Sequence, residues 1–178
     1  MKLTALAFVA TALVALAAPA HADKTAGNVV DDNTINASVK VALAEVKGLP
    51  DSQIVVETYK GEVLLGGFVD SKAQKDQADK AAKGVSGVKK VHNGLAIAPE
   101  NTVGSKLDDT VTTTKVKTAL MDDSDVKSGQ INVETKGGVV ALSGFVTGEK
   151  MKRRAVEVAK AQSGVKHVVD ALVVKPAG

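Results

Sequence analysis

Few residues in this sequence have the types and spacing that enzyme chemistry requires. The chain contains no cysteine, which excludes thiol catalysis, disulfides and Cys-ligated metal. No serine has the G-x-S-x-G context of a hydrolase nucleophile. The two histidines outside the N-terminal stretch, His92 and His167, are interpreted as solvent-facing strand residues. The sequence therefore predicts a protein that is not an enzyme and that needs no cofactor or metal.

Carboxylates cluster at three places, Asp31-Asp32, Asp108-Asp109 and Asp122-Asp123-Ser124-Asp125. The first two clusters stand where helices are predicted to begin, so we expect them to cap free N–H groups and to interact with the helix dipole. The third has the oxygen ligands for weak binding of a divalent cation, but it lacks the glycine and the terminal glutamate of a calcium loop.

One short stretch is strongly basic, Lys150-Met151-Lys152-Arg153-Arg154. Its four cations are candidates for contacting anionic phospholipid head groups or a partner, at about 1 kcal/mol each near a charged surface. The alternative is an ordinary solvated helix face, which Glu157 would partly neutralise. The candidate lipid- or partner-binding residues are Lys150, Lys152, Arg153 and Arg154.

The chain is a tandem repeat. VETYKGEVLLGGFVD, residues 56–70, returns 77 residues later as VETKGGVVALSGFVT, residues 133–147, without a gap. The repeat extends over residues 31–97 and 108–174. The basic stretch has no counterpart in the first copy, and His92 and His167 do not occupy matching positions, so neither histidine has the duplicated placement expected of a site that both copies need.

Each copy shows the same order of predicted elements. Apolar residues at helical spacing alternate with short strands and with a glycine-bearing hairpin turn, giving helix, strand, strand, helix, strand. The fold class is therefore α+β: two tandem αββαβ domains, each a small three-stranded mixed sheet with two helices packed on one face. Gly67 and Gly144 are expected where the second strand ends and the chain bends or a helix backbone passes close. Phe68 and Phe145 are expected to be core anchors.

The segments outside the two copies suggest an exported protein. Residues 1–22 resemble a cleaved signal peptide with an A-x-A site, Ala20-His21-Ala22, and predict a periplasmic product with no transmembrane span after cleavage. Residues 23–30 are expected to be a flexible lead-in, 98–107 a linker and 175–178 a tail. The formal net charge of +3 and the 2% of aromatic residues give no field or stacking platform for nucleic acid.

The duplicated motifs resemble the BON domain. They are the Leu65–Val69 and Leu142–Val146 segments after each hairpin and the V-x-G-V-x-x-V run Val85–Val91, in which the second copy departs at Gln162. Two such units behind a signal peptide are similar to osmotically inducible periplasmic proteins of that family.

The resemblance implies a non-enzymatic envelope protein of the osmotic stress response. It would bind anionic phospholipid surfaces or give chaperone-like help to partly folded client proteins. The residues of the family motif are Gly67, Phe68, Gly87, Gly144, Phe145 and Gly164. Two alternatives remain open at this point, a small-ligand or ion sensor with its site between the two repeats, and a purely structural spacer.

Overall fold

The structure, a computed structural model, describes residues 31–99 and 106–175. The expected signal peptide, the lead-in up to residue 30, most of the linker and the last three residues of the tail lie outside the described residues. Within the described ranges each repeat forms its own small domain.

The first domain consists of α1 (Asp32–Ala44), β1 (Ile54–Tyr59), β2 (Glu62–Val69), α2 (Lys72–Lys83), β3 (Lys90–Asn93) and β4 (Ala96–Ile97). The second consists of α3 (Lys106–Asp122), β5 (Asn132–Lys136), β6 (Val139–Val146), α4 (Glu149–Lys160) and β7 (His167–Val174). A short 3₁₀ turn precedes β1 at Asp51–Gln53 and β5 at Ser128–Gln130.

Both sheets are mixed, and the second strand of each hairpin is central. β2 pairs antiparallel with β1 and parallel with β3, and β6 pairs in the same way with β5 and β7. These observations confirm the predicted α+β class. The last strand of the first domain is interrupted between β3 and β4, where the N–H of Leu95 donates to the side-chain oxygen of Asn93. Pairing with β2 then resumes in β4.

Two helices cover one face of each sheet. The residues of β2 that point toward α1 and α2 are apolar and fully buried, and the matching residues of β6 point toward α3 and α4. Ala78 and Ala82 on α2, like Ala155 and Ala159 on α4, are 0% exposed. These small side chains let each second helix lie close to its sheet.

The aspartates near the starts of α1 and α3 have two roles, helix capping and binding of a hairpin turn. Asp31 is the N-cap of α1, and its side chain accepts from the N–H of Asn33. The carboxylate of Asp32 instead accepts from the N–H groups of Lys60 and Gly61, each at 2.7 Å. Asp109 does the same at the second hairpin turn, so capping of the helix is the wrong role for these two residues. α3 itself begins at Lys106, two residues before Asp108.

Gly67 and Gly144 lie inside their strands rather than at the strand ends. Both have positive φ, 99° and 147°. A Cβ on either would come closer than 3.0 Å to the carbonyl oxygen of Gln53 or Gln130, the last residue of the 3₁₀ turn. The expected close backbone is therefore this turn, and the strand continues past the glycine to Val69 or Val146 because the turn approaches from the side.

Candidate functional site

The helix-free faces of the two sheets pack against each other. Alternate residues of β2 point away from the helices, and Leu64 and Phe68 on that side are only 1% and 3% exposed. Phe68 packs with Ala96 of its own domain and with Ala141 of the second domain. Phe68 and Phe145 are therefore buried in the junction between the domains. They were expected to be core anchors, but they lie outside the helix-covered cores because they stand on the opposite face of the strand.

Residues that match in the repeat face each other at the centre of this junction. A Cβ added to Gly66 would meet Ser143, and one added to Gly94 would meet Ala171. Ser143 and Ala171 occupy the positions of Gly66 and Gly94 in the second copy. The two domains are thus related by an approximate two-fold axis that passes between the sheets, and they dock by equivalent faces.

A glutamate from each domain reaches into the other domain. The Glu57 carboxylate accepts hydrogen bonds from the side-chain amide of Asn132 and, at 3.3 Å, from the N–H of Phe145. Glu134 holds the matching place in the second copy, and its carboxylate lies against Gly67. Burial raises the pKa of Glu134, and the positive charge of Lys117 offsets part of that rise. The two glutamates are equivalent in sequence but differ in hydrogen bonding.

His92 also belongs to the junction. Its Nε2 lies 2.6 Å from a carboxylate oxygen of Glu62, and its ring meets the Phe145 ring edge-on, 6.2 Å between centroids. Tyr59, the sole tyrosine of the chain, packs on the same Phe145 ring at 5.8 Å. The expectation of a solvent-facing His92 was wrong, because the other domain covers that face of the sheet, whereas His167 is exposed as expected.

Three of the four predicted basic contacts are paired with carboxylates. Lys150 lies 2.9 Å from Asp125 and Arg154 lies 2.8 Å from Asp123. Lys152 donates to the carbonyl oxygen of Leu172 at 2.7 Å and lies 3.4 Å from Asp170.

These pairs have two consequences. The hydrogen bond from Arg154 lowers the pKa of Asp123 and raises that of Arg154. The third acidic cluster thereby serves to neutralise α4. Arg153 is exposed, and within the described ranges no ion pair or hydrogen bond joins it.

An exposed apolar stripe on α3 is the feature that the sequence analysis missed. Leu107, Val111 and Met121 are 76%, 51% and 71% exposed. With the exposed Thr114 and Thr118 they follow i, i+4, i+7, i+11, i+14 spacing, which places all five on one face of the helix. A helical projection of residues 106–122 would have shown this stripe opposite the buried Val116 and Leu120.

Lysines flank the stripe on both sides. At 100° per residue, Lys106 and Lys117 stand on one side and Lys115 on the other. Lys115 donates to the hydroxyl of Ser163 at 2.8 Å, and none of the three forms an ion pair within the described ranges. The α3 face, defined by Leu107, Val111, Thr114, Thr118 and Met121, is therefore apolar in the middle. Its edge at Lys106 and Lys117 is cationic, whereas the exposed Asp108 and Asp122 share the other edge with Lys115.

Two concave regions lie beside the α3 face. One, of about 640 Å³, is lined by α3 and β5 residues and by Gln53 of the first domain. The other, of about 320 Å³, lies next to Met121 and is lined largely by Leu120, Ile131 and Val133. The described ranges hold no group of three or more acidic or histidine side chains suited to a metal ion.

The remaining motif glycines, Gly87 and Gly164, lie in the turns before β3 and β7, each with positive φ. The side chain of Thr112 on α3 packs directly against Gly164. This contact fixes α3 against the turn and leaves its opposite face in solvent. Within residues 31–99 and 106–175, every helix is too short or too polar to cross a bilayer.

Comparison with known proteins gives the same picture of the two repeats. The family model described as "BON domain" matches residues 31–99 and 108–176. Osmotically-inducible protein Y of Escherichia coli (strain K12) is 42% identical over 151 residues, which are 84% of this chain and 75% of that protein. Outer membrane lipoprotein DolP of Haemophilus influenzae is 35% identical over 149 residues, 82% of this chain and 76% of that protein.

Solved structures are more distant. CdsD, a structural protein of the type III secretion system of Chlamydia trachomatis, is 12% identical and aligns with a TM-score of 0.35, covering 79% of this chain and 92% of the other. At that score the similarity supports no inference about this chain.

Proposed function

This chain belongs to the BON-domain family, and from that premise we propose that it is a non-enzymatic, osmotic-stress-related protein of the bacterial envelope that binds anionic phospholipid surfaces. The names of two relatives, one osmotically inducible and one an outer membrane lipoprotein, support the stress-related and envelope parts of this proposal. The predicted signal peptide supports the periplasm as the compartment.

The observation that carries the lipid part is the α3 face. Helices that bind in the plane of a membrane surface combine an apolar face with lysines beside it. Full burial of a Leu, Val or Met side chain is worth about 1.5–3 kcal/mol, and each lysine near an anionic surface adds about 1 kcal/mol. The stripe supplies enough free energy for reversible binding. Lys106 and Lys117 on one edge give a preference for anionic lipid, and Asp108 and Asp122 offset the charge of Lys115 on the other edge.

The α3 face belongs to the second domain alone. In the repeat register Val111 corresponds to Thr34 and Met121 to the small Ala44, and the position that matches Leu107 precedes α1. Its one exposed large apolar residue is Val41, at 60%. The first domain therefore supplies a matched surface that should not insert into lipid.

The basic residues of α4 are proposed as a weaker, electrostatic contact. Lys150 keeps 79% of its side chain exposed despite its pairing with Asp125, and Arg153 is exposed and unpaired in the described ranges. The neighbouring carboxylates offset most of this charge, so we expect α4 to affect binding less than the α3 face does.

Vesicle co-sedimentation tests the proposal. The full chain should bind vesicles that contain phosphatidylglycerol, bind phosphatidylcholine vesicles weakly, and lose affinity as salt rises, since the Debye length is about 10 Å at 0.1 M. The variant Leu107→Ser/Val111→Ser should bind at least ten-fold more weakly, which is the effect of about 1.4 kcal/mol. Val41→Ser is the matched control and should bind like the parent.

A Lys150→Glu/Arg153→Glu variant measures the share of α4. A modest loss agrees with the pairing described above, whereas a loss larger than that of the α3 variant would assign the lipid contact to α4. If neither variant alters binding, or if the parent fails to bind anionic vesicles at low salt, the lipid proposal is wrong.

Partly folded client proteins are a second candidate, favoured by the apolar groove of about 320 Å³ beside Met121. Such a groove can accept an apolar side chain of an exposed segment. This candidate predicts that the protein suppresses aggregation of an unfolded exported protein, and that Met121→Asp abolishes the effect. An unchanged light-scattering curve with the parent protein would count against it.

A further inference from the structure

The docked domains differ in side-chain size at two positions on the two-fold axis. At each of these positions the first domain has glycine and the second has a side chain: Gly66 faces Ser143, and Gly94 faces Ala171. A Cβ on Gly66 would lie under 3.0 Å from the Cβ and the hydroxyl of Ser143, and a Cβ on Gly94 would lie equally close to the Cβ of Ala171. The sheets approach to a distance that only one Cβ per pair allows.

We propose that these two glycines make the helix-free sheet face of the first domain a selective docking surface for the sheet face of the second domain. The same geometry excludes pairing between two second domains. Two second domains docked in this geometry would place Ser143 on Ser143 and Ala171 on Ala171, and both pairs would overlap. Two first domains would place glycine on glycine twice and leave gaps where the side chains now pack. First-to-second pairing alone fills the axis without overlap.

The selectivity has a physical basis that other contacts do not share. Apolar packing in the junction is largely non-directional and would tolerate several pairings, whereas overlap of two Cβ atoms cannot be relieved by rotating a side chain. The surface therefore accepts the attached second domain, which presents a BON sheet face with small side chains at Ser143 and Ala171.

An exchange of the two residues tests the proposal in the full chain. Gly66 does not have a positive φ, so Gly66→Ser adds bulk without straining the backbone. Tyr59 packs on Phe145 across the junction, and because the chain has one tyrosine and no tryptophan, its fluorescence reports docking. Gly66→Ser should change the Tyr59 emission and split urea unfolding into two transitions. The double variant Gly66→Ser/Ser143→Gly should restore the parent emission and a single transition.

The controls separate loss of docking from loss of folding. Gly129→Ser adds the same side chain where nothing lies within 4 Å, and it should match the parent. Far-UV circular dichroism of Gly66→Ser should retain the parent helix and strand signals, because both helix-covered cores are intact. The proposal is overturned if Gly66→Ser keeps the parent emission and transition, or if the double variant is no better docked than Gly66→Ser alone.

Discussion

Replacing Glu57 by glutamine should weaken the contact between the domains, although it changes little in size. In the parent protein both carboxylate oxygens accept from donors of the second domain, one from the Asn132 amide and one from the Phe145 N–H. Glutamine keeps one acceptor oxygen and turns an amide donor toward the remaining donor. One charge-assisted hydrogen bond is lost, and a donor is left unsatisfied.

The magnitude follows from the type of bond that is lost. A hydrogen bond to a charged group contributes about 1.5–3 kcal/mol to stability. The Phe145 N–H has no β5 partner, since pairing with β5 ends at Ser143, so it cannot recover the bond within its own sheet. We therefore expect Glu57→Gln to lower the free energy of unfolding by about 1.5–3 kcal/mol, a large share of the few kcal/mol that stabilise a small domain.

The duplication provides the matched control, Glu134→Gln. No hydrogen bond from the described residues reaches the Glu134 carboxylate, and burial raises its pKa, so the neutral amide imitates the form that the site favours. Glu134→Gln should leave stability unchanged or raise it at pH 7. Urea unfolding followed by Tyr59 fluorescence measures both variants. Equal destabilisation by the two, or an effect of Glu57→Gln below about 0.5 kcal/mol, would refute this reasoning.

Three further predictions concern single domains. Asp109→Ala should destabilise the second domain by about 1.5–3 kcal/mol, because the hairpin loses its bonds from Gly137 and Gly138 at 2.8 and 3.0 Å; thermal unfolding measures the loss. Asp123→Asn should destabilise at neutral pH. Its difference from the parent should narrow as pH falls below the ordinary carboxyl value of 3.8 and vanish only below the folded-state pKa, which the hydrogen bond from Arg154 holds lower. Gly144→Ala should prevent normal folding of the second domain, visible as lost circular dichroism, and a parent-like spectrum would contradict the close approach of the 3₁₀ turn.

The fold of each repeat was readable from the sequence because duplication gave every pattern twice. Each pattern determines one local contact: alternation in the strands, glycine at the hairpin turns, and alanine on the second helices. The same contacts occur at matching positions of the two repeats. The main error within the repeat, the roles of Asp32 and Asp109, has a physical cause. An aspartate beside a helix start can satisfy either helix or hairpin N–H groups, and only the tertiary arrangement decides which.

The junction between the domains was harder to predict. Apolar residues on both faces of β2, such as Leu65 on the helix side and Leu64 on the other, are typical of a sheet covered on both sides, but nothing local says what covers the second side. The pairing of Lys150 and Arg154 with Asp125 and Asp123 joins segments far apart in the chain, so a run of basic residues gave no sign that carboxylates would neutralise it. The α3 face, by contrast, could have been predicted, because Leu107, Val111 and Met121 have the spacing of one helix face in the sequence.

The most direct test of the lipid proposal places an environment-sensitive fluorophore on the α3 face. The chain has no cysteine, so Val111→Cys and Val41→Cys each carry a single label, one on α3 and one on α1. On vesicles containing phosphatidylglycerol the label at residue 111 should shift to the blue, reversibly with added salt, and the label at residue 41 should not shift. Equal shifts at both positions, or no shift at residue 111, would contradict the proposal that the α3 face contacts the membrane.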